Sequence, residues 1–580
     1  MKAKLHFLTI TITLFFSQPI CYSQSLQFVN TFNGKRYEFP GDMVISKKGN
    51  IFVSGFYNSD TLSIGNCTLY NLSNKKNNTF LAKMDTLGNC FWIKTIAVDS
   101  LNNSPANLAV DSLDNIYITN QFHGQIDVDP SANSYYLNTL PSCTNIFVAK
   151  YDNNGSFKWA FPILDSFTYT RDAYIEIDKE QNLLLSGSYY KTTDFDPSAN
   201  TYTLCPIKKT SPAGFLAKYD TNGTLIWVNS LAGKNGGGAE ILDIEVDNCN
   251  NILITGNCGD TIDFNPGIGV YNLNSPFGSD YFLAKYSPNN NLLWAFVISG
   301  NYNEWGTNIR IGSNNNIYVA GTFRTANIDF DPSPTNTTIL STHGQSDIFL
   351  AKYDSLGNMI FTKSIGGLDN EYIYDLDIDL HENLYWVINY WSNGWDCDFS
   401  TNSQVISQQG GGDDLILQTD SAGSLNNFFR IGTIYTDSYC RRINQINNSF
   451  FVLGWYNGLP VDFDPTTNYS CPLYYGQSDI TLAKYGLNTV VVTNQHDFTE
   501  LKNIEIYPNP ANHFINIKGI DEHYTIRIYD ILGKILIEKA VDTNTIIDLE
   551  KLSQGLYSLV ILKDNLIKTT TKVIILTDNK

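Results

Sequence analysis

The chain has 580 residues, 13% of them aromatic and only 16% charged, and a formal net charge of −19. So acidic a surface excludes a nucleic-acid partner, whose phosphates require Lys and Arg. Asn and Gly crowd the gaps between short apolar runs, which excludes a disordered chain and points to a turn-rich all-β protein.

Residues 1–23 read as a secretory signal peptide. Lys2 and Lys4 precede an apolar stretch at 7–16, and Cys21-Tyr22-Ser23 offers small residues before Gln24. The stretch is too short to remain as a membrane anchor, so the mature chain is expected to lack a transmembrane segment. Ten cysteines become nine once the leader is removed, an odd number that leaves at least one unpaired. Their places mostly do not recur and none shows CxxC spacing, so they are expected to be scattered small apolar thiols rather than a disulfide framework.

From there the chain is a repeat. FLAKYD at 215–220, a turn at 221–223 and LIWV at 225–228 have relatives beginning at Phe80, Phe147, Phe282, Phe349, Leu415 and Ile480. The equivalent positions Leu81, Val148, Leu216, Leu283, Leu350, Ile416 and Leu482 stand 66 to 68 residues apart. One supersecondary unit is therefore repeated. Each unit holds four strand candidates, for example 241–247, 252–256, 281–286 and 292–299. The first pair is joined by Asp/Asn/Gly turns such as 111–115 and 247–251, and the second by Asp-x-x-Gly such as 152–155 and 220–223. Repeated four-stranded antiparallel units of this kind are β-propeller blades. First hairpins begin at Met43, Leu108, Ile175, Ile244, Ile309, Leu376 and Ile443, but the Trp-bearing fourth strand follows only six of the seven FLAKYD copies. Its missing counterpart stands at 28–34 (FVNTFNG), which aligns with 227–233 (WVNSLAG). The expectation is a seven-bladed β-propeller over 24–486, its last blade completed by the N-terminal strand so that no sheet edge stays open. The recurring Trp residues are expected to pack between blades, and the Lys of FLAKYD to run along the sheet toward water or a carboxylate.

The connection between the second and third strands carries an acidic pair in most repeats: Asp127 with Asp129, Asp194 with Asp196, Asp329 with Asp331, and Asp462 with Asp464. The fourth repeat has Asp263 with Asn265, and the sixth a degraded Asp398-Phe399-Ser400. Residues two apart point the same way, so each pair is a candidate ligand set for Ca²⁺. Alternatively the first Asp caps a turn while the following aromatic plugs the blade. Hairpin parity puts these connections and the crossovers at 234–239, 301–306, 369–374 and 433–439 on one rim, opposite the tight turns. That rim holds the candidate ligand aromatics Tyr302, Trp305, Tyr372, Tyr435 and Tyr439.

After a polar linker at 487–503 the pattern changes. Residues 504–580 hold several strands with nearly balanced charge, as expected of a small Ig-like β-sandwich. The segments YPNPA (Pro508, Asn509, Pro510), IYDILGK (Gly533), LSQGLY (Gly555, Tyr557) and KVIIL resemble the C-terminal sorting domain of type IX secretion substrates. The resemblance implies export across both membranes of a Bacteroidota-type bacterium, with the type IX machinery as partner. The ring units themselves resemble bacterial β-propeller repeats with no agreed activity. Together these suggest a secreted or cell-surface, non-catalytic binding module for a glycan or a surface protein. The alternative is a glycan-active enzyme, a glycosidase or polysaccharide lyase, using rim or channel carboxylates. Only four His lie between leader and sorting domain, at unrelated repeat positions, and no nucleophile-elbow or zinc-binding motif is present.

Overall fold

The computed structural model describes residues 21–71, 77–98, 106–139, 143–163, 173–208, 211–233, 237–407, 413–431, 438–457, 461–465, 477–490, 505–507, 511, 513–520, 523–529, 535–549, 551–552, 555–563 and 566–575. The chain divides into a unit of Tyr22–Asn488 and one that contains Thr489–Lys580. No helix among the described residues is long and apolar enough to cross a membrane.

In the larger unit the chain lays down four-stranded antiparallel sheets in succession. Sheet 1 is Glu38–Ile45, Asn50–Tyr57, Asn78–Asp85 and Cys90–Val98; sheet 2 is Asn107–Val110, Ile116–His123, Thr144–Tyr151 and Phe157–Ile163. Sheet 3 is Tyr174–Ile177, Leu183–Tyr189, Ala213–Tyr219 and Leu225–Leu231; sheet 4 is Ala239–Val246, Ile252–Asp263, Asn272–Tyr286 and Leu292–Ile298. Sheet 5 is Trp305–Ile311, Ile317–Phe323, Asp347–Tyr353 and Met359–Ile365; sheet 6 is Glu371–Ile378, Leu384–Tyr390, Asp413–Thr419 and Leu425–Ile431. Sheet 7 takes Ser438–Ile446, Ser449–Tyr456 and Asp479–Val490 from the end of the unit and Cys21–Phe32 from its beginning.

Local chemistry makes the hairpins. Most tight turns open on an Asp that accepts the amides two and four residues on: Asp111 from Leu113 (3.0 Å) and Asn115 (2.8 Å), Asp220 from Asn222 (2.8 Å) and Thr224 (2.9 Å). The fourth turn residue needs positive φ, which Asp114 and Asn250 supply in first hairpins and Gly155, Gly223 and Gly357 in second ones. Glycine there has a further cause, because a Cβ at Gly223 or Gly357 would lie 3.3 or 3.1 Å from the Trp159 or Trp294 ring of the preceding sheet. Those indoles donate to the same turns, Trp159 to the Thr221 carbonyl (3.2 Å) and Trp294 to that of Ser355 (3.3 Å). The repeated Trp is thus an inter-sheet strut. In sheets 3 and 4 the Lys of the third strand ends on a buried carboxylate of its own first hairpin, Lys218 on Asp178 (2.7 Å) and Lys285 on Asp247 (2.8 Å), whereas Lys352 reaches Glu382 of the next sheet (3.2 Å). Its Tyr is fixed too, Tyr219 donating to the Phe195 carbonyl (2.9 Å) and Tyr151 to that of Val128 (2.7 Å).

Each apolar cluster in this unit lies between two neighbouring sheets rather than within one. One joins the ends: Phe451, Leu453, Ile480 and Leu482 of sheet 7 pack with Met43, Val53 and Ala82 of sheet 1 and with Phe28 and Phe32 of the N-terminal strand. The cysteines depart from expectation in one respect. Cys67 and Cys90 form a disulfide, whereas Cys258, Cys397 and Cys440 are buried thiols. The first repeat has a hairpin, Thr61–Ile64 with Cys67–Tyr70, where other repeats carry the acidic connection, and the bond ties it to the last strand of sheet 1.

In the C-terminal unit a three-stranded sheet (Glu505–Tyr507, Phe514–Lys518, Thr545–Asp548) and a four-stranded one (Ile535–Val541, Tyr524–Tyr529, Gly555–Lys563, Leu566–Ile575) share one core of Ile515, Ile517, Ile526, Ile528, Leu559 and Ile561. Tyr557 is buried in that core and Gly555 opens a strand, while Pro508, Asn509, Pro510 and Gly533 lie outside the described residues.

Three sheet junctions bury a pair of carboxyl groups: Glu38 with Asp479, Glu304 with Asp280, and Glu371 with Asp347, all six residues fully inaccessible. Burial pushes Glu38 up to about 8 and Glu304 up to about 7, with the neighbouring Asp adding to each, and raises Glu371 in the same way. Glu38 Oε2, Asp280 Oδ2 and Asp347 Oδ1 meet no donor, and one shared proton per pair removes that conflict. The folded state binds these protons more tightly than the unfolded chain. The stabilisation is therefore complete below the ordinary carboxyl value of 4.5 and is lost as pH rises through about 7 to 8. The melting temperature should accordingly fall between pH 5 and pH 9. Glu304→Gln, which carries its own donor, should flatten that fall when melting is followed across the range.

Candidate functional site

The first strand of every sheet in the larger unit contributes to one cavity of ≈ 450 Å³. The polar residues facing it stand beside the aliphatic residue that opens each first hairpin: Asp42, Asn107, Asp243, Asn308, Asp375 and Arg442. Asp42 accepts the Met43 amide within its own strand (2.8 Å) and the Leu108 amide of sheet 2 (2.8 Å). Asp243 does the same with Ile244 (2.9 Å) and Ile309 of sheet 5 (2.8 Å), and Asp375 with Leu376 (2.9 Å) and Ile443 of sheet 7 (2.8 Å). These aspartates clamp one first strand to the next. Of the three arginines in the lining, Arg310, Arg441 and Arg442, two bridge the clamp residues. Arg310 reaches Asp243 (3.1 Å), Asp375 (3.2 Å), Asp377 (3.7 Å) and Glu245 (3.9 Å), and Arg442 reaches Asp42 (2.6 Å) and Asn107 (3.2 Å).

Carboxylates outnumber the cations in this wall, since Glu176 lines it as well. Burial, reinforced by Asp243, raises Glu176 to about 7; burial raises Asp375 to about 6 against the pull of Arg310 and Arg442. Glu245 is held well above the usual carboxylate range, first by burial and then by Glu176. The cavity therefore keeps protons on some of its acids near neutrality. It is also a structural hub, because removing a clamp leaves two amides and part of an arginine without a partner. Asp375→Ala should cost about 3–5 kcal/mol, the loss expected when one partner of a buried pair is deleted, read as a drop in urea midpoint.

At the crossover end of the first strands, the residue three before each clamp position is Phe39, Glu240, Trp305, Tyr372 and Tyr439 in sheets 1, 4, 5, 6 and 7. Three of the expected rim aromatics thus share one place in the repeat. The structure couples two of them: the Arg324 guanidinium lies over the Trp305 ring at 5.4 Å and donates to the Tyr372 hydroxyl at 3.5 Å. Tyr302 is 64% exposed, and Tyr435 lies outside the described residues. Trp305 also walls a second cavity, of ≈ 480 Å³, between sheets 4 and 5; Leu242 and Thr307 line both cavities.

The acidic pairs, expected as candidate Ca²⁺ ligands, are engaged within their own connections. Asp127 accepts the amides of Asp129 (3.2 Å) and Tyr135 (2.8 Å), and Asp129 that of Ser131 (2.9 Å). Asp194 accepts those of Asp196 (3.1 Å) and Tyr202 (2.8 Å), and Asp196 that of Ser198 (2.9 Å). Asp329 accepts those of Asp331 (3.1 Å) and Thr338 (2.8 Å), and Asp331 that of Ser333 (2.9 Å). Asp462 accepts the amide of Asp464 (3.0 Å). Among the described residues no three His, Cys, Asp or Glu side chains group to hold a metal ion. Neither Asp127 and Asp129, nor Asp194 and Asp196, nor Asp329 and Asp331, nor Asp462 and Asp464 therefore gains a third such side chain there. The physical reason is local: one carboxylate oxygen of each leading Asp is spent on backbone donors of its own turn, and the next repeat's pair sits in a separate connection.

The sixth repeat is not degraded. Asp396 accepts from Asp398 (3.1 Å) and Gln404 (2.8 Å), and Asp398 from Ser400 (2.8 Å), so its pair is Asp396 with Asp398 around the buried Cys397. The expected register, set on Phe399, was two residues late.

The central cavity is the site that sequence reasoning missed. Its signal was available as a polar residue next to each first-hairpin aliphatic. The residue type changes from repeat to repeat, however, and only the assembled sheets bring the positions face to face.

Residues 505–576 match the family described as the secretion system C-terminal sorting domain, so the chain carries a type IX sorting domain and is exported to the cell surface or beyond. An uncharacterized WD repeat-containing protein of Acanthamoeba polyphaga mimivirus is 25% identical over 383 residues, which is 56% of this chain but only 27% of that relative. Solved structures similar to the chain include a PL25 ulvan lyase (10% identity, TM-score 0.41, covering 80% of this chain and 98% of that one). Another is PorZ, a surface component of the type IX secretion system of Porphyromonas gingivalis (10% identity, TM-score 0.17, covering 94% and 100%). A protein of unknown function from Bacteroides caccae shares 9% identity (TM-score 0.28, covering 70% and 94%).

Proposed function

We propose that the larger unit is a seven-bladed β-propeller that works outside the cell as a non-catalytic binding module, delivered by its sorting domain. Support for the ring comes from sheet 7, which draws strands from both ends of the unit, and from first strands that neighbour one another in order, that of sheet 7 lying beside that of sheet 1. In this reading residues 1–23 are a signal peptide, 24–486 the ring and 487–503 a linker. Residues 504–580 are then an Ig-like sandwich removed or retained at the surface. The ligand is a glycan or a surface protein, and it meets the crossover rim around Trp305 and Tyr372. The observation that carries this is the cavity beside Trp305, a concave site with one aromatic wall and polar side chains including Asn257, Ser279, Asn303 and Thr307 in the rest of its lining. The acidic connections serve as self-capped turns; Ca²⁺ takes about six to eight oxygens, and one pair supplies too few.

An enzyme remains the second reading because burial raises Glu176 to about 7 in a cavity lined by several further carboxyl groups, and an acid held protonated beside a second carboxyl is the pairing a glycosidase uses. Against it, Asp243 and Asp375 are already committed to arginine and to neighbouring strands. Incubating the secreted chain with chromogenic glycosides and uronate polysaccharides should release no product between pH 5 and pH 8. Turnover abolished by Glu176→Gln would establish the enzyme instead.

A further inference from the structure

We propose that the Cys67–Cys90 disulfide is a redox latch on the N-terminal strand, so that sheet 7 is firmly closed only after the exported chain has been oxidised. This rests on closure of the ring by that strand and adds the condition under which it holds. In the second, third, fourth and seventh repeats the outer connection is anchored by the Tyr of the third strand, which donates to a carbonyl within it. Tyr151 donates to Val128 (2.7 Å), Tyr219 to Phe195 (2.9 Å), Tyr286 to Phe264 (3.0 Å) and Tyr485 to Phe463 (2.9 Å). The same position in the first repeat is Met84, whose thioether has no proton to donate. There the hairpin of Thr61–Ile64 with Cys67–Tyr70 is held by the covalent bond to Cys90.

Both ends of that bond sit on segments that grip Cys21–Phe32. On the hairpin, the Asn33 amide donates to the Ser63 carbonyl (2.8 Å) and the Ser63 amide to that of Asn33 (3.0 Å). In the turn before Cys90, the Gly88 carbonyl accepts the side-chain amide of Asn30 (2.8 Å). Phe32 shares a buried cluster with Leu62 and Ile64, and Cys67 and Cys90 pack against it. The chain leaving the strand is tied to the base of the hairpin, Arg36 donating its amide to Ser59 Oγ (2.7 Å) and Tyr37 to Asn58 Oδ1 (3.1 Å). Equivalent bridges join Gly233 to Ile262 and Gly366 to Asp396, but those glycines follow fourth strands that a tight turn joins to the third strand of the same sheet. Cys21–Phe32 has no such turn, so it can leave sheet 7 without breaking a hairpin. A hairpin free to move would take these contacts with it.

Forming the bond is a two-electron oxidation. The two thiols pass two protons and two electrons to an exchange disulfide, through a mixed disulfide, and the oxidant departs as a dithiol. Cys67 and Cys90 are half-buried, so such a partner reaches them. A reducing compartment keeps both as thiols, and export ends that condition.

The test is hydrogen exchange, read by mass spectrometry, on the full secreted chain before and after a phosphine reductant and on the double variant Cys67→Ser, Cys90→Ser. Peptide mapping of the untreated chain should find Cys67 joined to Cys90. On reduction the amides of 24–33 should exchange at least about tenfold faster, while those of sheets 3 to 5 keep their rates. The double variant should show the fast rates without reductant and no further response to it. Cys249→Ser, which removes an exposed thiol in a turn, should behave as the unaltered chain. Loosening confined to 61–70, or a uniform rise across all sheets, overturns the latch and leaves closure by the N-terminal strand standing. Mapping that finds both thiols free overturns the latch in the same way. Fast exchange of 24–33 in the oxidised chain overturns the closure itself and the latch with it. If the double variant does not fold, the reduced chain carries the test.

Discussion

The seventh sheet of the larger unit cannot be completed by its own repeat. Its fourth strand is Cys21–Phe32, drawn from the opposite end of the unit to the strand it lies against. Without it, Asp479–Val490 would present an unpaired edge, and Phe451 and Leu482 would lose the cover of Phe28 and Phe32. Every other junction between sheets is built from consecutive repeats. This one alone makes the proposed ring depend on both ends of the unit, and it aligns the first strands around a shared cavity.

Two kinds of polar interaction then operate at the junctions. Near the cavity, Asp42, Asp243 and Asp375 each cross from one first strand to the next. Toward the crossover rim, Glu38, Glu304 and Glu371 sit against an Asp from the neighbouring sheet, with little solvent to separate the charges. The first kind satisfies backbone amides; the second stores a protonation state. Between them lies the rim position of Phe39, Trp305 and Tyr372, so the aromatic side chains that face outward are set on strands fixed on both sides. Rigid placement of this sort lowers the ordering cost of binding.

Most of the fold was legible because its determinants are local. Asp opening a turn, Gly or Asn where φ is positive, and Trp or Lys at a fixed step are visible in each repeat, and the FVNTFNG segment near the N terminus could be matched to its counterpart by eye. What stayed hidden depends on the assembled neighbours. The clamp residues vary between Asp, Asn and Arg, so no repeat signature marks them. The Cys67–Cys90 bond joins the small hairpin of the first repeat to the last strand of its sheet, a contact that a spacing of 23 residues does not announce. Spacing alone leaves a ligand pair and a turn cap both open; in the fold Asp196 and Asp331 each accept a serine amide two residues on. In the sixth repeat an aromatic at Phe399 drew the register away from Cys397, which is the buried residue that fills the place. Trp305 was visible as a rim aromatic, but its cavity needs Asn257 from the preceding sheet, which sequence spacing does not bring to it.

Adjacency of the two end strands is open to direct chemical test. A Cβ at Gly486 would fall beside the Gln27 side-chain amide. With Gln27→Cys and Gly486→Cys introduced together, mild oxidation followed by peptide mapping should yield a fragment joining positions 27 and 486, with the melting temperature preserved or raised. Recovery of both thiols free, under conditions in which Cys67 and Cys90 remain bonded, would contradict closure of the last sheet by the N-terminal strand.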